Sequence, residues 1–295
     1  METRKNIELA LAWTMVTAIL IAPALIPAPA QAMRPTPSTC LSPLRMERPP
    51  FDGKTPSGTD VPCMPLKLTR LSAKANKITD DQDWFQRNDL HLPVHKYPGN
   101  PDGSTPDQTP ARFMGDLLLK AIDAGDSLLL IYGPNYAGGR YLVVLDKEAG
   151  ACRYALDFTS FERSDPAIDP GYYTQMLQWA EEEQGILYIS SFHHGYAEDS
   201  QGKNAYLTAI DIGRGEILWR SKPLIVNSAN FEIIGDSLVC GYGFTGEPDY
   251  LYVLNRHTGT VQSRISVRSA PSYIVHKGNR LYVRTYNRDY VFQIE

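Results

Sequence analysis

Beyond residue 32 the sequence lacks any apolar run long enough to cross a bilayer as a helix, and it lacks a cluster of basic residues. The first absence excludes further membrane-spanning helices. The second disfavours a nucleic-acid partner, because such partners require a basic patch that meets the phosphates. The formal net charge of −4 does not change when residues 1–32 are left out, since they contain two basic and two acidic side chains.

The signatures of several enzyme classes are also missing. The chain has no G-x-S-x-G elbow, phosphate-binding loop, dinucleotide fingerprint, H-E-x-x-H or C-x-x-C. Gly-Asp-Ser-Leu, the nucleophile block of the GDSL esterases, occurs at 125–128 and at 235–238. Both copies lie at one position of a repeat described below, and the D-x-x-H that these esterases need near the C-terminus is absent. We therefore predict that both copies form hairpin turns.

The N-terminus has the three-part pattern of a signal peptide. Arg4 and Lys5 precede an uncharged apolar run at 9–26, and a small-x-small cleavage site follows at 30–32. The pattern predicts a signal peptide over 1–32 and a periplasmic or extracellular location. An uncleaved N-terminal anchor is the alternative, because a run of this length just suffices to span a bilayer.

Four cysteines agree with an oxidising compartment. Cys40 and Cys63 flank a Pro-rich loop, and a disulfide between them would stabilise the chain by about 3 kcal/mol. For Cys152 and Cys240 two alternatives stay open, a second disulfide or two buried thiols. The segment 33–110 holds 13 of the 22 prolines, which predicts an irregular N-terminal arm rather than a second domain.

The remainder, 111–295, is built from about four repeats. A strand of the type Tyr-Leu-x-x-Leu-Asp begins at Tyr141, Tyr206, Tyr250 and Tyr290, and in the first three repeats a glycine follows nine residues after the tyrosine. Apolar and β-branched residues favour a buried strand, and the glycine allows the positive φ of the following turn. The tyrosines are 65, 44 and 40 residues apart, which is the range of a four-stranded propeller blade with variable loops.

Each repeat is predicted to contain four strands, which we label a to d from the first in sequence. In the second repeat these are about 176–181, 186–191, 205–211 and 216–220. The fourth repeat stops after strand c, and an open sheet edge invites aggregation. We therefore predict that an N-terminal strand at 66–71 completes the last blade.

The segment YLTAIDIGRGEILW at 206–219 resembles the repeat of the pyrroloquinoline-quinone-type (PQQ-like) β-propellers, and NRHTG at 255–259 matches the turn of that repeat. Trp219 corresponds to its closing tryptophan. The resemblance covers about 117–295 and implies an all-β, propeller-like fold. Many members of this superfamily bind no cofactor and serve as scaffolds in the bacterial envelope. The chain has no adjacent cysteine pair of the kind a quinoprotein dehydrogenase carries, so no cofactor is expected.

The strand order predicts two different ends of the array. The a–b and c–d turns are short and share one end, the turn end. The b–c loops and d–a connections share the other, the loop end, where they are longer and rich in aromatic side chains. The predicted ligand-binding residues lie there, and they are Tyr132, Tyr136, Tyr172, Tyr173, His193, His194, Tyr196, Tyr242, Phe244 and Tyr286.

These features predict a secreted or periplasmic module that binds a protein or glycan ligand at the loop end. The alternative is a hydrolase or lyase for extracellular polymer on the same scaffold. Its acid and base would come from His193, His194 and the loop carboxylates Glu162, Asp165, Asp169, Glu198, Asp199 and Glu247. No metal site is expected, because the paired histidines lack accompanying ligands at regular spacing.

Overall fold

The structure is a computed structural model. It describes residues 40–49, 63–76, 81–96, 105–106, 109–162 and 174–295. The strands in chain order are β1 (Leu44–Arg45), β2 (Leu68–Ala75), β3 (Val94–Lys96), β4 (Arg112–Phe113), β5 (Asp116–Asp123), β6 (Ser127–Gly133), β7 (Tyr141–Asp146), β8 (Cys152–Asp157), β9 (Met176–Glu183), β10 (Ile186–Phe192), β11 (Tyr206–Asp211), β12 (Glu216–Arg220), β13 (Glu232–Ile234), β14 (Ser237–Tyr242), β15 (Tyr250–Asn255), β16 (Val261–Ser266), β17 (Pro271–Lys277), β18 (Arg280–Thr285) and β19 (Arg288–Ile294).

The strands form four sheets, each with a four-stranded antiparallel meander that we call a blade. Blade 1 is β5–β8, blade 2 is β9–β12, blade 3 is β13–β16, and blade 4 is β17–β19 together with β2. The all-β, propeller-like architecture predicted from the repeats is therefore present. In each blade, strand a is the innermost strand. This follows because the central cavity described below is lined by residues of all four a strands or of the segments that lead into them.

The N-terminal closing strand is confirmed. β2 pairs antiparallel with β19, with Leu68 opposite Ile294 and Ala75 opposite Arg288. It begins two residues after the predicted start and continues four residues beyond the predicted end. Its pairing removes the open edge that the fourth repeat would otherwise leave.

Other described residues of the arm contact blades 1, 2 and 3. β1 pairs in parallel with β8 and adds a short strand to the edge of blade 1. The carbonyl oxygen of Pro49 accepts a hydrogen bond of 3.0 Å from Nη1 of Arg220 on blade 2. On blade 3, the Sγ of Cys63 accepts a hydrogen bond of 2.9 Å from Asn255 Nδ2.

A helix then takes the chain to the inner side of the array. Helix α1 (Asp81–Asn88) buries Trp84, which packs against Val275 of blade 4 and lies 6.5 Å from the ring of Tyr273. β3 follows and pairs with β5, the a strand of blade 1. The chain thus passes from the last blade to the first along the inner strands.

Neighbouring blades are joined by large side chains that lie over turn glycines. Trp219 of blade 2 is buried, and its Nε1 donates a hydrogen bond of 2.9 Å to the carbonyl oxygen of Arg256 in the c–d turn of blade 3. A Cβ atom at Gly259 would meet Trp219 Cε3 at 2.4 Å, and the φ of Gly259 is +70°. The glycine of the repeat therefore serves both the turn and the tryptophan contact. Leu44 takes the same place over Gly215 of blade 2.

The two Gly-Asp-Ser-Leu copies are hairpin turns, as predicted. Gly125 and Gly235 have φ values of +80° and +56°, and the following serines begin β6 and β14. Ser127 and Ser237 are buried in their sheets, so neither hydroxyl is presented as a nucleophile.

The predicted Cys40–Cys63 disulfide is wrong, because Cys40 is bonded to Cys152. The parallel pairing of β1 with β8 brings the start of the arm beside the strand that begins at Cys152. Cys63 and Cys240 are both free thiols, and Cys240 is buried. Burial raises the pKa of the Cys240 thiol far above its usual value.

In the part of the chain that the structure describes, no helix has the length and apolar character needed to cross a membrane.

Candidate functional site

A central cavity of about 470 Å³ opens at the loop end of the array. Every blade contributes to its wall, for example through Lys120 of blade 1, Trp179 of blade 2, Phe244 of blade 3 and Tyr273 of blade 4. Its volume lies in the usual range of ligand pockets, roughly 300–1,000 Å³. The cavity is the place where the four repeats come together, so it is the candidate functional site.

The floor of the cavity is the extended segment that leads into β3. Leu92 and Val94 line the central cavity, whereas His91 and Pro93 line a second cavity at the turn end. The carbonyl oxygen of Pro93 accepts a hydrogen bond of 2.6 Å from the backbone N–H of Asp123. The segment therefore lies between the two cavities and is fixed to the a strand of blade 1.

Lys120 is a cation in the wall of this cavity. Its Nζ donates a hydrogen bond of 2.6 Å to the carbonyl oxygen of Gln178 and lies 5.5 Å from the centroid of the Trp179 ring. Burial lowers the pKa of the Lys120 ammonium from 10.5 to about 8. At pH 7 the group is therefore still protonated, at a cost in desolvation.

The two adjacent histidines have different environments. His193 is buried, its Nδ1 accepts a hydrogen bond of 3.0 Å from the N–H of Gly195, and burial lowers its pKa to about 4. His194 is exposed, packs edge-on against Phe192, and its Nε2 donates a hydrogen bond of 3.0 Å to the carbonyl oxygen of Ala137. His193 is therefore a neutral wall residue, and His194 connects the loops of blades 1 and 2.

The rim of the cavity is held by contacts between loops. The carbonyl oxygen of Ala137 also accepts a hydrogen bond of 2.7 Å from Gln178 Nε2. Tyr196 packs edge-on against Phe244, with ring centroids 4.8 Å apart. Tyr136 and Tyr196 remain 70% and 47% exposed, so two aromatic faces are presented to solvent at or beside the mouth.

Two of the predicted ligand-binding tyrosines are buried inside their blades, and their assignment to the surface is corrected. Tyr132 is fully buried and donates a hydrogen bond of 2.8 Å to the carbonyl oxygen of Pro110. Tyr242 is 3% exposed and donates to the carboxylate of Glu247. Both stand at the ends of b strands, where every residue of the strand is buried between neighbouring strands and blades.

The other predicted residues are distributed as follows. Tyr136, His193, His194 and Phe244 line the central cavity. Tyr286 is 85% exposed and lines a smaller cavity of about 290 Å³ that shares Phe244 with the central one. Tyr172 and Tyr173 lie outside the described residues, as do Asp165 and Asp169.

Of the loop carboxylates considered for catalysis, those that the structure describes, namely Glu162, Glu198, Asp199 and Glu247, do not line the central cavity. Glu247 accepts hydrogen bonds from Tyr242 and, at 2.8 Å, from the backbone N–H of Ala197. Glu162 lies 3.5 Å from Nη1 of Arg140. Among the described residues, Asp81 is the carboxylate that lines the cavity, and its Oδ1 accepts a hydrogen bond of 2.6 Å from Arg284 Nε.

The turn end of the axis is acidic. Its cavity of about 430 Å³ is lined by Glu181, Glu182 and Glu183 of blade 2 and by Glu232 of blade 3. Burial raises the pKa of Glu232 to about 8, and burial together with the neighbouring Glu232 raises that of Glu181 well above its usual value. A cationic side chain thus faces the loop-end cavity, while carboxyl groups gather at the turn end.

No group of three or more His, Cys, Asp or Glu side chains in the described part of the chain has an arrangement that would hold a metal ion.

Several wall residues were not found from the sequence, namely Asp81, Lys120, Gln178, Trp179, Asn227 and Tyr273. One signal was present: Lys120 is a single charge within the otherwise apolar strand segment LLLKAI. On the first strand of a blade, such a charge indicates that the strand lines an exposed inner surface or a cavity.

Comparisons with known proteins identify no family. No family model matches the chain, and no curated protein matches it. The solved structures to which the chain is similar at low identity include two examples. The computationally designed Ika4 protein has a TM-score of 0.33 and 12% identity, with 58% of this chain and 87% of that chain covered. BamB from Moraxella catarrhalis has a TM-score of 0.25 and 13% identity, with 77% and 100% covered.

Proposed function

We propose that the protein is an exported binding module that takes a segment of a partner protein into the loop-end cavity. The observation that carries the proposal is the central cavity itself, which is lined by all four blades and bordered by exposed aromatic side chains. Tyr136 and Tyr196 offer large contact areas with few rotatable bonds and a polar tip. Binding residues are commonly found on loops that a rigid scaffold positions.

Export is supported by two independent features. The Cys40–Cys152 disulfide is of the kind that persists in oxidising compartments, and the first 32 residues have the pattern of a signal peptide. The repeat at 206–219 supports kinship with the PQQ-like propellers that lack a cofactor. A glycan ligand in place of a protein remains a further proposal, which the same experiment tests.

The proposal predicts a site-specific contact between Tyr196 and the partner. A photo-crosslinking amino acid would replace Tyr196 in the full chain, expressed with its own N-terminus, and adducts would be identified by mass spectrometry. The matched control carries the crosslinker at Arg214, whose side chain is 69% exposed in the c–d turn of blade 2 at the opposite end. We expect a discrete protein adduct from position 196 and none from position 214.

Equal labelling from both positions, or none from either, would contradict the proposal. A carbohydrate adduct at 196 alone would replace the protein partner by a glycan. Tyr242 is not a suitable position, because it is buried and bonded to Glu247, so its replacement would disturb the fold.

A further inference from the structure

The ammonium group of Lys120 is the one charge in the cavity wall that the described residues do not neutralise. The other charged groups of the wall are accounted for: the carboxylate of Asp81 accepts from Arg284, and His193 is neutral. The desolvation of Lys120 is not offset by any carboxylate in the described part of the chain. Its contacts are a carbonyl oxygen and the face of an indole ring.

A primary ammonium has three N–H donors. One of those of Lys120 is used by the carbonyl oxygen of Gln178. The remaining donors belong to a side chain that lines the cavity. An anion placed there would gain charge-assisted hydrogen bonds.

The surroundings of Lys120 favour an apolar group attached to that anion. Trp179 and Phe192 of blade 2 and Tyr273 of blade 4 belong to the same wall, and Leu92 and Val94 form its floor. An aromatic or aliphatic side chain would bury its surface against these residues. The ligand is thus expected to carry both an anionic and an apolar part.

The shape of the cavity favours the end of a chain over its middle. The floor segment lies between this cavity and the one at the turn end. A polypeptide that enters beside Tyr136 therefore has no second exit along the axis. A C-terminal residue carries both a carboxylate and a side chain, and the polypeptide extends from it on one side only.

We propose that the cavity binds the free C-terminal carboxylate of a partner polypeptide through Lys120, with the apolar side chain of the last residue against Trp179, Phe192 and Tyr273. This inference rests on the proposed binding function, because it specifies what enters the same cavity. It names the chemistry of the partner, which is a chain that ends in an apolar residue with an unmodified carboxylate.

The test uses two pools of acetylated pentapeptides with the same randomised last two residues, one pool ending in a carboxylate and the other in a carboxamide. Each pool is incubated at pH 7 with the full chain, bound peptides are identified by mass spectrometry, and the Kd of the best peptide is measured. The variants are Lys120→Met and, as a matched control, Lys222→Met, which removes an exposed lysine outside the cavity.

We expect the carboxylate pool to yield peptides that end in apolar residues and the carboxamide pool to yield none. Amidation of the best peptide and Lys120→Met should each weaken binding roughly 10- to 100-fold, as loss of a charge-assisted hydrogen bond implies. The two effects should not add, because Lys120→Met removes the group that distinguishes acid from amide. Lys222→Met should leave both pools unchanged.

Equal recovery from both pools, or a carboxylate preference that survives Lys120→Met, overturns the inference. If 3-phenylpropionate binds but no peptide from either pool does, a polypeptide is overturned as the source of the carboxylate. If no peptide binds while the crosslinker at position 196 still captures a protein, the carboxylate inference falls and the binding function stands. If both experiments fail, both proposals fall.

Discussion

Replacement of Cys152 by Ser is expected to lower the free energy of unfolding by about 2–5 kcal/mol. The Cys40–Cys152 bond joins residues separated by 112 positions, and a closed loop of that size removes much of the entropy of the unfolded chain. In the folded state, the first part of the arm is also held to blade 1 by two residue pairs of β1 with β8 and by the buried side chain of Met46. The measurement is urea unfolding of the oxidised protein and of the variant.

Cys63→Ser is the matched control for this experiment. Cys63 is a free thiol whose Sγ accepts hydrogen bonds from Asn255 and Gln262, so its loss should change stability by less than about 1 kcal/mol. Cys40→Ser should match Cys152→Ser, and the double variant should be no worse than either. A large effect of Cys63→Ser with none of Cys152→Ser would contradict the observed pairing.

Lys120→Met is expected to raise the free energy of unfolding at pH 7 by about 1–3 kcal/mol. The fall of the pKa from 10.5 to about 8 measures how much burial disfavours the ammonium, and each unit corresponds to about 1.4 kcal/mol. Methionine has similar length and no charge to desolvate. A destabilising cation in a cavity is typical of a residue that serves binding rather than folding.

The increase in the free energy of unfolding caused by Lys120→Met should depend on pH in a defined direction. Below pH 8 the lysine is protonated in both the folded and the unfolded state, so the full cost is present and the difference between the variants is constant. Between pH 8 and pH 10.5 the unfolded chain binds more protons than the folded protein, so the stability conferred by the native lysine rises with pH. The two variants should therefore converge above pH 10.5.

Chemical denaturation at pH 7, 9 and 10.5 measures this difference directly. The other titratable side chains that line the cavity are Asp81, Tyr136, His193, His194 and Tyr273, and all of them are the same in both proteins. Lys222→Met, an exposed change, should stay within about 0.5 kcal/mol of the native protein at each pH. A destabilising effect of Lys120→Met that does not vary with pH would mean that the contacts to Gln178 and Trp179 outweigh desolvation.

The blades were predictable from the sequence because their signals are local. The alternation of a Tyr-Leu strand with an Asp or Asn turn and a glycine determined the strands of blade 2 to within about two residues at each end. The closing strand β2 was also predictable, because an unpaired edge requires a partner. This pairing is long-range in sequence. It was predictable all the same, because the fourth repeat lacks a strand d of its own.

The disulfide was not predictable, because connectivity depends on where the arm runs in space. Cys40 and Cys63 are close in sequence, but β1 directs Cys40 to blade 1, whereas Cys63 lies against Asn255 of blade 3. Nothing in a Pro-rich segment specifies a two-residue parallel pairing. The sequence supports only the statement that an oxidised pair is present.

The candidate site was predicted in part. The loop end and the residues Tyr136, His193, His194 and Phe244 were assigned from loop length and composition, and all four line the cavity. Tyr132 and Tyr242 were misplaced because the b strands extend further than the hydrophobic pattern indicates. Lys120 was missed because the sequence does not show that the a strands of four blades surround a common axis. Only that arrangement places a charge on an a strand in the wall of a central cavity.

The central claim is that the partner binds at the loop-end cavity. The most direct test is hydrogen–deuterium exchange of the protein alone and in complex with the partner captured through position 196. The account predicts slower exchange in the loops at 134–140, 193–204 and 243–249, with unchanged exchange in the turns at 124–126, 184–185 and 235–236. Protection confined to the turns, or to the outer strands β12 and β16, would contradict it.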